Sequence, residues 1–215
     1  MIRAEFDHLV VAASSLEIGS EYVSDLLGAD LVAGGRHREE GTHNRLLRLG
    51  DKMYLEVISI DPEANSPSSR RWFSLDTLNT KARLHERPAL IAWVARTDSI
   101  ANLITVSPYE NCKVIQRERD GLRWQFSCTP SGMLLGDGLL PLMIQWDGVA
   151  HPTDFLPDVG CRLHTLKGIS KDPEQIRSTL SILCLLDSLQ LVEELPEGCS
   201  LEAEIETPRG HVVLR

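Results

Sequence analysis

No run of apolar residues in this sequence approaches the length of a membrane span. The first residues, Met1-Ile2-Arg3-Ala4-Glu5-Phe6, lack the basic and apolar regions of a signal peptide. Positive charge is in deficit: the net charge of -9 disfavours nucleic acid and anionic membrane surfaces as partners, although it leaves room for a local basic patch. The five cysteines, Cys112, Cys128, Cys161, Cys184 and Cys199, form no C-x-x-C pair. An odd, dispersed set predicts reduced thiols in a cytoplasmic protein, with Cys184 packed in the core. G-x-S-x-G, the Walker A loop, the dinucleotide fingerprint and H-E-x-x-H are also absent, which removes the chemistries those motifs carry. Gly132 to Gly138 is glycine-bearing but lacks phosphate-loop spacing and reads as an irregular loop.

What is present is an ordinary globular composition, 42% hydrophobic and 25% charged, so a core is within reach. At 215 residues the chain holds one large domain or two small ones. Its elements recur in one order, β-α-β-β-β. In residues 1–60 a strand over 6–12 leads to Ser14-Ser15-Leu16-Glu17, a helix start that runs to Leu27 and stops at Gly28. Ala29 to Ala33 reads as a short strand and Gly34 to Gly41 as a loop, before a hairpin across Gly50-Asp51. Residues 88–150 repeat the order, with strands at Leu90 to Ala95, a hairpin across Asp120-Gly121 and a last strand over Pro141 to Trp146. Residues 158–215 give it a third time, with a helix opening at Asp172-Pro173. Residues 61–87 break the pattern. They read either as a linker anchored by Trp72 and Phe73 or as a flap whose arginines, Arg70 and Arg71, meet an anion.

Two residues stand out chemically. His8 lies inside the apolar strand Phe6 to Val11, and Glu56 inside Lys52 to Ile58. A buried glutamate is rare unless it is paired or bound to a metal. If the two strands pair, His8 and Glu56 share a face and make half of a metal site. Each has a plainer alternative: a hydrogen-bonded core histidine, and a strand glutamate turned to solvent. His37 reads as a loop residue, His85 as solvated, and His164 and His211 as strand positions. His151, before Pro152, is placed in an extended loop, and Trp93, Trp124, Phe126 and Trp146 in the core.

The repeated βαβββ order with His in a first strand and Glu in a fourth resembles the vicinal oxygen chelate superfamily, and its glyoxalase-like family in particular. The matching stretches are Phe6-Asp7-His8-Leu9-Val10-Val11-Ala12, Gly34-Gly35-Arg36-His37, Gly41-Thr42-His43-Asn44, Leu49-Gly50-Asp51 and Tyr54-Leu55-Glu56-Val57-Ile58. Arg71-Trp72-Phe73, Ile144-Gln145-Trp146-Asp147 and His151-Pro152 continue the likeness. The resemblance implies an α+β fold in which paired βαβββ modules form a curved, cup-shaped mixed sheet with helices outside. It divides the chain into module 1 (1–60), a connecting segment or flap (61–87), module 2 (88–150) and a module-like third part (158–215). The third part either packs on the outside of the cup or pairs with another chain as a homodimer.

The resemblance also implies a site. His8 and Glu56 would be catalytic and would ligate a divalent metal. The second module departs from the pattern, with Leu90, Ala92 or Trp93 where a histidine is expected and Gln145 where an acid is expected. Gln145 would then be the third ligand, on the cup face, with Trp146 turned toward a helix; His43, His151 and His164 are further candidates. Thr42, His43, Asn44, Arg71, Trp72 and Phe73 are expected to contact substrate, with turn chemistry the rival reading for His43. Such a donor set suits Fe, Mn, Zn or Ni. The expected function is that of a metal-dependent lyase, isomerase or dioxygenase acting on a small oxygen-chelating ligand, with Glu56 as general base if no metal is bound. The alternative is a metal-free protein that sequesters a small molecule, as bleomycin-resistance proteins do.

Overall fold

The structure, a computed structural model, describes residues 3–119, 121–194 and 200–215. Asp120 of the expected second hairpin turn, Cys199 and the first two residues lie outside them. The first part folds as β1 (Ala4–Ala12), α1 (Leu16–Leu27), β2 (Val32–His37), β3 (Thr42–Gly50) and β4 (Met53–Ile60). Ser15 caps α1 by accepting from the Ile18 N–H. The helix buries Leu16, Val23 and Leu27 against the sheet, each worth roughly 1.5–3 kcal/mol. The expected loop at Gly34-Gly35 is strand, because β2 runs on to His37. After β4, residues 61–77 form irregular turns and α2 (Leu78–Glu86) follows, capped by Thr77.

The second part is β5 (Ala89–Thr97), α3 (Ile100–Leu103), β6 (Lys113–Arg119), β7 (Leu122–Cys128) and β8 (Leu142–Trp146). Together the two parts make one eight-stranded mixed sheet in the order β2-β3-β4-β1-β5-β8-β7-β6. In both, the fourth strand lies parallel beside the first, β4 with β1 and β8 with β5, and β1 meets β5 antiparallel at the centre.

Alternation along these strands separates two apolar clusters. Leu9, Val11, Leu47, Leu55, Val57, Trp93 and Met143 face outward onto the helices. Val10, Ile58, Val94, Trp124, Phe126, Leu142 and Ile144 face the concave side, where Trp72 and Phe73 join them.

The third part, β9 (Arg162–Ser170), α4 (Glu174–Ile182), β10 (Gln190–Glu193), β11 (Leu201–Thr207) and β12 (Gly210–Leu214), has the same element order along the chain. Its sheet order is different, β10-β9-β11-β12, with the first strand inside rather than beside the fourth. It packs on the outer face: Leu166, Leu180, Leu183, Ala203 and Ile205 share one core with Trp93, Leu139 and Met143. Trp93 Nε1 donates to the Leu139 carbonyl in that core at 3.0 Å. Cys184, expected to be buried, is exposed with φ of 58°, while Leu183 and Leu185 on either side are fully buried. No helix among the described residues is long and apolar enough to cross a membrane.

Candidate functional site

Inside the concave face, His8, His37, Asn44, Tyr54, Glu56, Trp72, Phe73, Arg119, Trp124 and Trp146 enclose a void of about 30 Å³. That is room for a water or two. His8 and Glu56 face each other across it, Nε2 to Oε2, at 3.7 Å. The distance is too long for a hydrogen bond, so each atom presents a lone pair or a proton to whatever lies between them.

The orientation of His8 is set from behind. Between Phe6 and His8 the register of β1 against β5 slips by a residue. Such a bulge breaks alternation and lets two successive side chains turn to one face. Asp7 therefore lies beneath the cup with no solvent exposure. Its carboxylate accepts from His8 Nδ1 at 2.6 Å, Trp146 Nε1 at 3.0 Å and His151 Nε2 at 3.2 Å. Burial pushes the Asp7 carboxyl up, but the hydrogen bonds from His151 and His8 outweigh it and hold the group well below the usual carboxylate range. An ionised Asp7 fixes the proton of His8 on Nδ1 and directs Nε2 into the cup. Tyr54 stacks on the opposite face of the imidazole, ring centroids 4.4 Å apart.

Glu56 is held by its neighbour on β3. The Asn44 amide NH2 donates to Glu56 Oε1, and its oxygen accepts from the Gly35 N–H at 2.8 Å and from Arg119 at 3.0 Å. Arg119 reaches in from β6, the far edge strand of the other half, and lies over Trp124, 5.9 Å from the ring centroid. The same guanidinium nitrogen donates to His37 Nε2 at 3.0 Å, so the other His37 nitrogen carries the proton, which it gives to Thr42 Oγ1 at 3.0 Å. Burial, then the charges of Arg119 and Arg117, push His37 down to about 3 and keep it neutral. The two strand glycines make this possible. A Cβ on Gly35 would sit 2.3 Å from Arg119 Cδ, and one on Gly34 would sit 2.1 Å from the Asn44 amide oxygen.

Trp72 and Phe73 close the cup from the connecting segment. Trp72 meets His37 edge-on at 5.0 Å and Phe126 at 5.3 Å. Phe73 and Ser74 both adopt left-handed backbone, φ 55° and 56°, a strain of roughly 1–3 kcal/mol each. The turn is clasped by Ser74 N–H to the Gly132 carbonyl at 2.8 Å and Leu134 N–H to Ser74 Oγ at 2.9 Å. Among the described residues the buried indole N–H of Trp72 has no acceptor. An unmet buried donor costs roughly 1–3 kcal/mol.

Of the residues expected at the site, His8, Glu56, Asn44, Trp72 and Phe73 converge on the void, and Thr42 supports His37 from behind. The others do not reach it. His43 points to the opposite face, where Nε2 meets Ser59 Oγ at 2.7 Å. Arg71 pairs with Asp76 at 2.8 Å. Gln145 is on the outer face, accepting the Ile100 N–H at 2.8 Å at the start of α3, and it is Trp146 that lines the cup. Sequence reasoning gave Asp7, His37 and Arg119 no role at the site, and offered His151 as a further candidate ligand, whereas His151 holds Asp7. The adjacency of Asp7 to His8 was the one available signal.

The donor set does not fit a divalent metal. Among the described residues that line the void, His8 and Glu56 are the facing pair, Asn44 spends its oxygen on Gly35 and Arg119, and a guanidinium lies alongside. Among the described residues no three His, Cys, Asp or Glu side chains are arranged to hold an ion.

Comparison with curated proteins finds no match. Among solved structures, a hypothetical protein from Staphylococcus aureus is 18% identical, with 98% of this chain and 84% of that one covered and a TM-score of 0.54. The methylmalonyl-CoA epimerase from Mycobacterium tuberculosis is 16% identical over 67% of this chain and 88% of its own, with a TM-score of 0.42. That from Streptomyces coelicolor is 14% identical over 70% and 98%, with a TM-score of 0.44. The glyoxalase-like domain family matches residues 6–184. With its two paired βαβββ units and cupped sheet, the chain belongs to the glyoxalase-like family, within the vicinal oxygen chelate fold.

Proposed function

We propose that the cup is the active site of an isomerase or lyase that moves a proton on a carbon next to a carbonyl group, with Glu56 and His8 as the acid–base pair. The observation that carries this reading is the 3.7 Å approach of His8 Nε2 to Glu56 Oε2 in the void of the cup, both side chains buried and each held by a partner. Glu56 takes the proton from carbon as base. The C–H electron pair moves into the carbonyl, and the carbonyl oxygen takes the Nε2 proton of His8 in its imidazolium form, which keeps its Nδ1 proton toward Asp7. Reversal at the neighbouring position, or loss of a leaving group from it, completes an isomerisation or an elimination. A positioned pair of this kind contributes roughly 10²–10⁴-fold per proton transfer. No step passes through a metal, because the side chains present do not supply its ligands.

The test is exchange of carbon-bound hydrogen for deuterium, followed by proton NMR in D2O over a panel of small aldehydes, ketones, carboxylic acids, esters and amides. The wild-type protein is expected to catalyse exchange on a subset, and Glu56→Gln to lower that rate at least 100-fold. Exchange indifferent to Glu56→Gln would overturn the assignment. Tight binding without exchange on any compound would leave the sequestering role.

A further inference from the structure

We infer that the ligand of this cup is a small organic acid, its carboxylate taken by the guanidinium of Arg119 and the indole N–H of Trp72. The inference rests on the proposed acid–base reading for what happens to the ligand, but it concerns a different part of the wall. His37 touches both donors, the Trp72 ring at 5.0 Å between centroids and Arg119 at 3.0 Å, and all three line the same void. Arg119 is a planar donor whose fork matches a carboxylate. It is set in place by Asn44, His37 and the Trp124 face. Trp72, 5% exposed, brings a buried N–H that no acceptor among the described residues meets. A carboxylate oxygen supplies that acceptor.

The approach to the cup has the same sign. A trench of about 730 Å³ between β2 and β6 shares His37, Arg119 and Trp124 with the inner void. Among the described residues Arg36, Arg38, Arg117, Arg119 and Arg123 line it, with Glu39 and Glu118 as the acids. Arg36 and Arg117 are engaged by neighbouring acids. Among the described residues Arg38 and Arg123 have no carboxylate partner. In a chain of net charge -9 this cluster of guanidinium groups, Arg38 and Arg123 among them, offers an anion cationic contacts on its way in. The geometry also divides the ligand. Asn44 links Arg119 to Glu56, so an acid gripped at Arg119 presents the adjoining carbon toward the Glu56–His8 side. Even a short oxo acid exceeds the void of about 30 Å³, and the trench that shares His37, Arg119 and Trp124 with it takes the remainder.

The experiment compares short-chain 2-oxo acids, beginning with pyruvate, with their primary amides, which keep shape and lose charge. Affinities are measured by calorimetry on the full chain, with folding of each variant checked by circular dichroism. Wild type is expected to bind an acid at least tenfold more tightly than its amide. Arg119→Gln should remove that preference while leaving the amide within about twofold, Arg119→Lys should keep part of it, and Trp72→Phe should weaken the acid several-fold. Equal affinity for acid and amide, equal losses on both in Arg119→Gln, or binding of neither series would overturn the inference. Deuterium exchange separates the two readings. An acid preference without exchange refutes the acid–base assignment alone, whereas exchange on acids and amides alike, unaffected by Arg119→Gln, refutes the carboxylate site alone.

Discussion

The two halves of the eight-stranded sheet share a topology and divide the site unequally. In the first half, β1 and β4 place His8 and Glu56 on the concave face. In the second, the residue opposite His8 is Val94, and β8 turns Ile144 and Trp146 to the cup. The second half compensates from its edge, where β6 sends Arg119 across to Asn44 and His37. A paired fold thus need not give a paired site. One half keeps groups that can carry protons, and the other supplies a fixed positive charge and an aromatic wall.

The comparison can be broken first at Asp7, the deepest charge in the first half. Asp7→Asn leaves two histidines and an indole N–H around a neutral amide. It should cost roughly 3–5 kcal/mol of stability by chemical denaturation. A loss under 1 kcal/mol would mean that the buried network does not organise His8.

A second probe uses pH. His37 has its folded value near 3 and its unfolded value near 6.5, so the unfolded chain binds the extra proton between them. Stability is whole above about pH 6.5 and falls as pH drops toward 3, by up to about 1.4 kcal/mol per unit. His37→Gln should flatten that limb of the stability–pH curve, and an unchanged slope would place its origin elsewhere. Asp7 works at lower pH. Its depressed value leaves its contribution intact above the ordinary carboxylate range and lost only as pH falls through the folded value.

A third, smaller effect isolates the second half. Gly35→Ala drives a methyl against Arg119 Cδ. It should reduce any preference for acids about tenfold with little change in amide binding, measured by the same calorimetry. The smallest effect is expected at Gln145. Gln145→Glu stays on the outer face at the start of α3, so metal content measured by elemental analysis should not rise. A rise would return Gln145 to the cup.

Much of the architecture was legible because periodicity and capping are local. Ser15, Gly28 and the Gly50-Asp51 turn mark the first unit, and β-α-β-β-β recurs along the chain. The strand order of the third part was not legible, since pairing partners far apart in sequence leave no local trace. At the site, His8 and Glu56 were visible as polar residues in apolar strands. Asp7 was hidden by the bulge, which defeats the rule that neighbours point to opposite faces. Gln145 was misplaced for a related reason: its strand alternates in the opposite phase, and the hydrogen bond to Ile100 fixes it outward. Gly34 and Gly35 read as a loop because glycine weakens strands, whereas here their missing side chains make room for Asn44 and Arg119. Arg119 itself carries no sequence signal, since its meaning comes from contacts with His37 and Asn44, 82 and 75 residues away along the chain.

The most direct measurement is hydrogen exchange on the best substrate of the panel before and after exhaustive treatment with a chelator. The account predicts an unchanged rate in chelator-treated protein and loss of that rate in Glu56→Gln. Exchange that disappears on chelation and returns with iron, manganese, zinc or nickel would contradict it.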